Sequence, residues 1–278
     1  MSTFIGIDLG GTYIRAGRVV NDIIETQNQM HTPKNPKDEW ETVDAIKEVI
    51  RTVINEQVEA IGIGVPSLVD RGKGIVYNVV NIPHWEEVPL KKALEKEYEV
   101  PVHLDNDANC FALAERHFGI GQDYQNFVGL TVGTGLGGGI IQQGRLLHDA
   151  NCGSGEFGML PYKDHILEYY ASGSFFHNVY GMDGKEMFLK AQQNDPLALD
   201  AYRQLGVHLA AAVKMVMYTV DPEMIVFGGS VAEAHRLYEA SLYENIQDFG
   251  YPNAVKKLRI FFSGIASPGI LGAASLCY

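Results

Sequence analysis

A seven-residue pattern that occurs twice constrains the fold of this chain more than any other feature. Phe4–Gly10 reads FIGIDLG, and Phe127–Gly133, which begins 123 residues later, reads FVGLTVG. The two segments agree in residue character at every position except one, where the first has Asp8 and the second has Thr131. Each has the apolar run of a buried strand and leads into a turn rich in glycine. The repeat predicts two lobes of like topology that face each other across a central cleft.

The first repeat continues through Gly10, Gly11 and Thr12 into a second apolar strand, Tyr13–Val20. A strand, a Gly-Gly-Thr turn and a returning strand predict a hairpin. Its glycines can present backbone N–H groups to phosphate with no Cβ in the way. Asp8 would lie beside those phosphates and would need a cation, for which Mg²⁺ is suitable, bound directly or through water. The same residues also fit a plain hairpin with an aspartate near its turn.

The second repeat leads into the glycine-rich turn Gly133–Gly139 and a strand over Gly139–Gln142. Two facing phosphate loops would hold one nucleotide from both sides. Further on, the strand Glu223–Phe227 ends in a glycine pair that opens toward a predicted helix near Val231–Phe249. We expect adenine or ribose there. The predicted nucleotide contacts of this half are Gly133, Thr134, Gly135, Gly137, Gly138, Gly228 and Gly229.

Between the repeats, a short strand from Val102 ends in Asn106-Asp107, and a helical pattern then runs to Phe118 and stops at Gly119. A carboxylate at such a junction is commonly an N-cap, and Asn106 or Asp107 would each serve as one. The two glycine turns that flank the segment favour another role for Asp107. Such turns can hold phosphates against a base, so we interpret Asp107 as a general base for phosphoryl transfer.

Charge and cysteine content narrow the class of protein. The net charge of −12 disfavours a nucleic-acid partner, because no basic stretch is present to replace counterions. The three cysteines, Cys110, Cys152 and Cys277, form no disulfide framework, which favours a reducing cytoplasm. The N-terminus lacks a signal-peptide pattern, and no apolar run approaches the length of a membrane span. We therefore expect a cytoplasmic protein with no membrane partner.

Several motifs together resemble the signature series of the ROK family, which comprises bacterial sugar kinases, notably glucokinases, and related sugar-responsive repressors. They are Asp8-Leu9-Gly10-Gly11-Thr12, Asn106-Asp107-Ala108-Asn109, Gly133–Gly139, Gly155-Glu156-Phe157-Gly158 and Asp221–Gly229. The resemblance runs from about residue 3 to about residue 275. It implies an α/β fold of the two-lobed actin-like/hexokinase (ribonuclease H-like) ATPase type with duplicated lobes. The implied lobes are residues 1–108 with 268–278, and residues 109–267.

The resemblance also implies a reaction, in which ATP with Mg²⁺ phosphorylates a hexose. It assigns the base to Asp107 and the sugar hydroxyl contacts to Asn81, Asn106, Glu156 and Glu168. Glucose is the expected substrate, and fructose, mannose, allose and N-acetylhexosamines are alternatives. A homodimer is expected by resemblance only. For Trp85, in the loop before the second helix, stacking on sugar and anchoring of the loop are both open, and packing beside Pro83 is the more common role.

The chain departs from the family pattern at a position where many members have a histidine that contacts the sugar and a structural zinc. Here that residue is Met159, and the run of three cysteines that binds zinc is missing. His165 and Cys152 cannot complete a tetrahedral site by themselves. We therefore predict no zinc site, and a segment Met159–Ile166 that is held by packing.

Two other classes of function remain open. A sugar-responsive transcription regulator would usually carry a DNA-binding helix-turn-helix before the first strand, which here begins by Thr3. An actin-like or chaperone-type ATPase would explain the glycine turns. It would not explain Asn106-Asp107 together with Glu156 and Glu168.

Overall fold

The computed structural model describes residues 2–79, 81–150 and 153–278. The chain forms two compact units, each made of several segments. Unit 1 comprises Met1–Gln122, Leu146–Ser154 and Ile265–Tyr278, and unit 2 comprises Asp123–Arg145 and Gly155–Gly264. These boundaries differ from the predicted ones, since residues 109–122, 146–154 and 265–267 belong to unit 1.

Unit 1 is built on a five-stranded sheet with four helices. Its strands and helices are β1 (Thr3–Leu9), β2 (Tyr13–Val20), β3 (Ile23–His31), α1 (Glu39–Arg51), β4 (Ala60–Val65), β5 (Leu68–Asp70), β6 (Ile75–Tyr77), β7 (Glu87–Val88), α2 (Leu90–Tyr98), β8 (Val102–Asn106), α3 (Asp107–Phe118) and, in sequence after the elements of unit 2, α10 (Pro268–Ala274).

The strand order of the unit 1 sheet is β3-β2-β1-β4-β8, and β5, β6 and β7 form a small separate sheet. Strand β1 pairs with β2 antiparallel and with β4 parallel. Alternate residues of β1 point to opposite faces of the sheet. Ile5 and Ile7 therefore pack with Val43 and Ile46 of α1, whereas Phe4 packs with Ile270 of α10.

Glycines let α10 approach the sheet and α3 very closely. A Cβ atom on Gly6 of β1 would collide with the carbonyl oxygen of Ile270, and one on Gly62 of β4 with that of Ala273. On the other side of the helix, a Cβ on Gly272 would collide with the carbonyl oxygen of Cys110 in α3. The C-terminal helix is therefore part of the core of unit 1, as the sequence predicted.

Unit 1 also has short 3-10 helices over Ile120–Asp123, which ends in the first residue of unit 2, and Ser275–Cys277. Unit 2 contains the remaining elements, except that β11 ends at Leu146 of unit 1. They are β9 (Phe127–Val132), β10 (Leu136–Gln142), β11 (Arg145–Leu146), β12 (Pro161–Tyr162), β13 (His165–Ile166), α4 (Leu167–Tyr170), α5 (Ser174–Tyr180), α6 (Gly184–Gln192), α7 (Pro196–Thr219), β14 (Met224–Gly228), α8 (Glu239–Asn245), α9 (Pro252–Lys257) and β15 (Arg259–Phe262), with 3-10 helices over Phe157–Met159 and Ala232–Leu237.

The main sheet of unit 2 repeats the topology of the first. Its strand order is β11-β10-β9-β14-β15, in which β9 pairs with β10 antiparallel and with β14 parallel, as β1 does with β2 and β4. The two matching segments of the sequence are thus the central strands of two equivalent sheets. The predicted duplication of topology is confirmed.

Some predicted elements have other limits in the structure. Helix α1 ends at Arg51, where Thr52 caps it by bonding to the carbonyl of Val49, although the apolar spacing of the sequence continues to Ile54. The helix predicted near Val231–Phe249 is divided into a 3-10 segment and α8. Strand β3 was not predicted. In the part of the chain that the structure describes, no helix combines the length and apolar character needed to cross a membrane.

Candidate functional site

The first glycine turn, Gly10–Thr12, joins β1 to β2 in unit 1. The N–H of Gly10 donates to the carbonyl of Tyr13 at 2.9 Å. The buried Thr32 fastens the turn, because its hydroxyl donates to the carbonyl of Gly10 at 2.6 Å and its N–H to that of Thr12 at 3.0 Å. Gly11 and Thr12 themselves are exposed. Thr32 thus holds the turn in place by hydrogen bonds, while Gly11 and Thr12 remain accessible to a ligand.

Asn81 lies next to this turn. A Cβ atom built on Gly11 would lie 3.0 Å from the Cβ of Asn81. Asn81 is exposed, so its amide is available to a ligand at the turn. The structure therefore brings together two predicted site elements that are separated by about 70 residues in the sequence.

Asp8 is the last residue but one of β1, beside the same turn. Its Oδ2 atom lies 3.2 Å from Nη1 of Arg15, and the Asp8 side chain is 26% exposed. Burial raises the pKa of the Asp8 carboxyl, and the positive charge of Arg15 opposes this effect. A single carboxylate near phosphate is a common setting for Mg²⁺, which keeps several waters and takes phosphate oxygens as further ligands. Asp8 fits this requirement.

The structure separates the roles of Asn106 and Asp107. Asn106 is the N-cap of α3, where its Oδ1 atom accepts from the N–H groups of Ala108 and Asn109 at 2.8 and 3.3 Å. Its Nδ2 atom donates to the carbonyl of Ser67 at 3.3 Å. Asp107 is the first residue of the helix and is exposed, with Oδ1 accepting from the N–H of Ala108 at 2.8 Å. The N-cap is therefore Asn106, and Asp107 is not needed for that task.

The second glycine turn, in unit 2, is shorter than predicted. It consists of Gly133, Thr134 and Gly135, and β10 begins at Leu136. Gly137 and Gly138 lie within β10. Gly138 is there for packing, because a Cβ atom on it would lie 2.7 Å from the ring of Phe157. The prediction that Gly137 and Gly138 are part of the turn is therefore wrong, and the tight turn has only three residues.

Three consecutive residues at the start of α5, Ser172 to Ser174, hold this turn in place by hydrogen bonds. Ser172 and Ser174 donate their hydroxyls to the carbonyl of Thr134 at 2.9 and 2.6 Å. The N–H of Gly173 donates to the carbonyl of Gly133 at 2.7 Å. No sequence pattern indicates these residues, since Ser-Gly-Ser is an ordinary loop composition.

Glu168 contacts the second glycine turn and also lies near Glu156. Its Oε2 atom accepts from the N–H of Leu136 at 2.8 Å, and a Cβ on Gly135 would collide with this same atom. Glu156 lies near enough for the charge of Glu168 to act on it. Burial, and secondly Glu168, raise the pKa of the Glu156 carboxyl. The two predicted sugar contacts of unit 2 are thus close together, and one of them supports the glycine turn.

Gly155, which precedes Glu156, must be a glycine. Its φ is +89°, and a Cβ on it would collide with the carbonyl oxygen of Gly138. The Gly-Glu-Phe-Gly motif therefore packs directly on β10. This close packing fixes where the chain presents Glu156.

A cavity of about 590 Å³ opens on the second glycine turn within unit 2. It extends from Gly133 and Thr134 to the residues that follow β14, and it includes aromatic rings and one lysine. Its size is within the usual range for small-molecule sites. The lining residues are Gly133, Thr134, Gly173, Ser174, Phe176, His177, Asn178, Asp183, Gly184, Lys185, Phe188, Tyr202, Ser230, Val231, Glu233 and Ala234.

The glycine pair after β14 shapes the far wall of this cavity. Gly228 is the last residue of β14, and Gly229 has a φ of +86°. A Cβ on Gly229 would lie 2.5 Å from the carbonyl oxygen of Val132, and the N–H of Val231 donates to that oxygen at 3.0 Å. The pair therefore directs Ser230 and Val231 into the cavity wall without lining it itself.

The segment Met159–Ile166 is folded into the two-stranded β12–β13 hairpin. Met159 is 59% exposed, and Tyr162 packs on the buried His208 of α7, with its hydroxyl 3.1 Å from Nδ1. Among the described residues, no group of three or more potential ligands from His, Cys, Asp and Glu is placed to hold a metal ion. Cys152 lies outside the described residues. The segment Met159–Ile166 is thus packed on α7 through Tyr162, as predicted.

Trp85 is a core residue and is not accessible to a sugar. It is 2% exposed in the core of unit 1, and its Nε1 atom donates to the carbonyl of Glu39 at 3.1 Å. Of the two interpretations, packing is confirmed and stacking on sugar is wrong.

Comparison with known proteins identifies relatives over the whole chain. A glucokinase of Thermotoga maritima is 31% identical over 309 aligned residues, which cover 98% of this chain and 96% of the relative. An N-acetyl-D-glucosamine kinase of Mannheimia succiniciproducens is 30% identical, with 98% of each chain covered. The crystal structure of a ROK family glucokinase from Streptomyces griseus, in complex with glucose and AMPPNP, has a TM-score of 0.85 at 28% identity over 99% of both chains.

The α/β fold with its duplicated sheets is accordingly the actin-like/hexokinase fold that the motifs predicted. The model of the ROK family matches residues 4–278, which include every motif discussed above. This chain belongs to the ROK family.

Proposed function

We propose that this protein transfers the γ-phosphoryl group of ATP to a hydroxyl of glucose, giving glucose 6-phosphate, with Asp107 as the general base. The enzyme class, an ATP-dependent hexose kinase, follows from the family and from relatives that are sugar kinases over nearly the whole chain. The choice of sugar and the roles of individual residues are the proposal.

One observation carries the assignment more than the others. Within unit 2, the Glu168 carboxylate bonds to the N–H of Leu136 beside the second glycine turn, and a cavity of about 590 Å³ opens on this turn. Burial, and secondly the charge of Glu168, raise the pKa of the Glu156 carboxyl. A pair of carboxylates beside the phosphate loop suits a sugar substrate, because carboxylate oxygens accept hydrogen bonds from sugar hydroxyls.

The base would act on the hydroxyl that attacks the γ-phosphorus. As the oxygen–phosphorus bond forms and the bond to the β-phosphate oxygen breaks, the hydroxyl proton passes to the Asp107 carboxylate and ADP leaves. Exposure of Asp107 and the supply of the helix cap by Asn106 support this role, since the carboxylate is accessible to a substrate.

Sugar recognition would come from Asn81, Asn106, Glu156 and Glu168. Glu156 is the strongest of the four, because no side-chain hydrogen bond engages its carboxylate within the described part of the chain. Asn106 has one amide hydrogen left for a sugar after its bond to Ser67, since an amide group carries two. Side chains that bond to a sugar hydroxyl discriminate between sugars, because a sugar without that hydroxyl leaves the polar group unpaired at a cost in free energy.

The adenosine of ATP would lie in the cavity of unit 2, between Thr134 and Val231. The resemblance to the family assigns each glycine turn to the phosphates of ATP. Asp8 would hold Mg²⁺, directly or through water, together with phosphate oxygens. When bound, this ion neutralises charge on the phosphates. We propose that the protein has no zinc site. By resemblance to the family, we also propose a cytoplasmic homodimer.

N-acetylglucosamine is the main alternative to glucose as substrate, because the N-acetyl-D-glucosamine kinase is 30% identical to this chain and the glucokinase is 31% identical. Release of ADP from ATP should be measured with no sugar and with glucose, mannose, fructose, allose and N-acetylglucosamine. We expect strong stimulation by one of these sugars, with the highest kcat/KM for glucose. A higher kcat/KM for another sugar would correct the substrate, and no stimulation by any would overturn the proposed function.

A further inference from the structure

An arginine in unit 1 that the proposed reaction does not use forms ion pairs with two buried carboxylates. Arg71 follows β5, and its Nε and Nη2 atoms lie 2.7 and 3.1 Å from the two carboxylate oxygens of Asp105. Its Nη1 atom lies 3.0 Å from Oδ1 of Asp149. The side chains of Asp105 and Asp149 are only 4% and 8% exposed. Such geometry requires the planar fork of an arginine, and a lysine cannot reproduce it.

The first of these carboxylates supports the residues around Asp107. Oδ1 of Asp105 accepts from the N–H of Asn106 at 2.7 Å and from the side-chain amide of Asn109 at 2.8 Å. These two residues lie one before and two after Asp107. Asn106 in turn caps α3 and bonds to Ser67, at the other end of β5 from Arg71. Arg71 thus orients the carboxylate that holds the strand end and the first helical turn from which Asp107 projects.

The second carboxylate belongs to the segment that leads to Glu156. Asp149 lies in Leu146–Ser154, and its Oδ2 atom accepts from the N–H of Ser154 at 2.8 Å. The next residue is Gly155, whose conformation and packing on β10 are fixed. The path from Arg71 through Asp149 to Ser154 therefore ends two residues before Glu156. Arg71 and Asp149 are 78 residues apart, so no sequence pattern indicates the pair.

We propose that Arg71 is a positioning residue for the reaction: its one guanidinium holds the support of the base Asp107 and the segment that presents Glu156. The inference rests on the proposed function. Loss of the contact to Asp105 would misplace the base, which affects kcat. Loss of the contact to Asp149 would release the segment before Glu156, which affects the KM for the sugar.

The test compares Arg71→Lys and Asp149→Asn with wild type. Lysine keeps a positive charge for Asp105 but cannot span both carboxylates. We expect Arg71→Lys to lower kcat about 10- to 100-fold, the range for a misplaced reacting group, and to raise the KM for the sugar. Asp149→Asn leaves the pair with Asp105 intact, so we expect a KM for the sugar about 5- to 10-fold higher, with kcat within about twofold of wild type. In the double variant Arg71→Lys, Asp149→Asn the two increases in the KM for the sugar should not add, because both substitutions break the same contact between Arg71 and Asp149.

Arg51→Met is the matched control. Arg51 pairs with Glu97 at 2.8 Å on the surface of the same unit, and its loss should leave kcat and both KM values unchanged. Wild-type kinetics in Arg71→Lys, or an unchanged sugar KM in Asp149→Asn, would overturn the inference while the proposed function stands. Should Arg71→Lys not fold, Asp149→Asn alone decides. A wild-type protein that no hexose stimulates would overturn the proposed function, and this inference with it.

Discussion

At the scale of single residues, the proposed chemistry depends on Asp107. Asp107→Asn keeps the volume of the side chain, and the cap provided by Asn106 remains, so the variant should fold. Its amide cannot accept the hydroxyl proton. We expect kcat to fall about 10²- to 10⁴-fold, the usual contribution of a general base, while sugar affinity changes much less. Asp44→Asn, at an exposed ion pair of α1, is the control for loss of one carboxylate. Near-normal turnover by folded Asp107→Asn would contradict the assignment.

The two glutamates of unit 2 should behave differently when each is changed to glutamine. Hydrogen bonds to charged groups contribute about 1.5–3 kcal/mol, so Glu156→Gln should raise the KM for the sugar roughly 10- to 100-fold and leave the KM for ATP nearly unchanged. Glu168→Gln should raise both KM values, because its carboxylate also bonds to the N–H of Leu136 beside the glycine turn. Steady-state kinetics with each substrate varied would check this, and an unaltered sugar KM in Glu156→Gln would refute it.

The dual role of Glu168 shows what residue types can and cannot indicate. Motif resemblance placed Glu156 and Glu168 at the sugar, but only the fold shows that Glu168 supports the turn. The contacts of Arg71 were not predictable either, because Asp105 and Asp149 are 34 and 78 residues away. Such partners are brought together by tertiary structure and leave no local pattern.

At the scale of elements, the β12–β13 hairpin is held by an aromatic cluster around His208. This histidine is 3% exposed and contacts the rings of Tyr162, Tyr170 and Phe175. Burial, and secondly the charge of Lys163, lower the pKa of His208 to about 4. Protonation at His208 is therefore favoured in the unfolded chain and opposed in the folded one.

This pKa shift predicts how stability depends on pH. The unfolded chain binds the proton near the ordinary histidine pKa of about 6.5, so stability is full above that pH and is lost as the pH falls toward about 4, by up to about 3 kcal/mol. The free energy of unfolding should be measured by urea denaturation between about pH 7 and 5. His208→Phe should flatten the dependence, whereas His31→Gln, an exposed histidine, should not. An equal slope in wild type and His208→Phe would contradict the prediction.

Elements with strong periodicity were predictable, and those decided by packing were not. The strands Thr3–Leu9 and Phe127–Val132 carry a continuous apolar pattern. Strand β3, Ile23–His31, is largely exposed and has little apolar pattern to detect. Helix α1 ends at Arg51 although Val53 and Ile54 continue its periodicity, because those residues pack on the core from the turn that follows.

At the scale of the whole molecule, the repeat in the sequence corresponds to two sheets of equal strand order. Each sheet carries a glycine turn after its central strand, but only the turn of unit 1 has an aspartate before it. Asp8 and Thr131 occupy equivalent positions, and this difference is the reason why we propose the cation site in unit 1. The sequence was sufficient to predict the two equivalent central strands because the repeat preserves the apolar and glycine positions.

The central claim is that this chain is a kinase with a hexose acceptor and not an ATPase. The most direct measurement follows ATP, ADP, inorganic phosphate and hexose phosphate together by ³¹P NMR, with the preferred sugar and without sugar. We expect one hexose phosphate for each ADP formed, and very little ADP without sugar. ADP that forms with an equal amount of inorganic phosphate, independently of sugar, would contradict the account and indicate an ATPase.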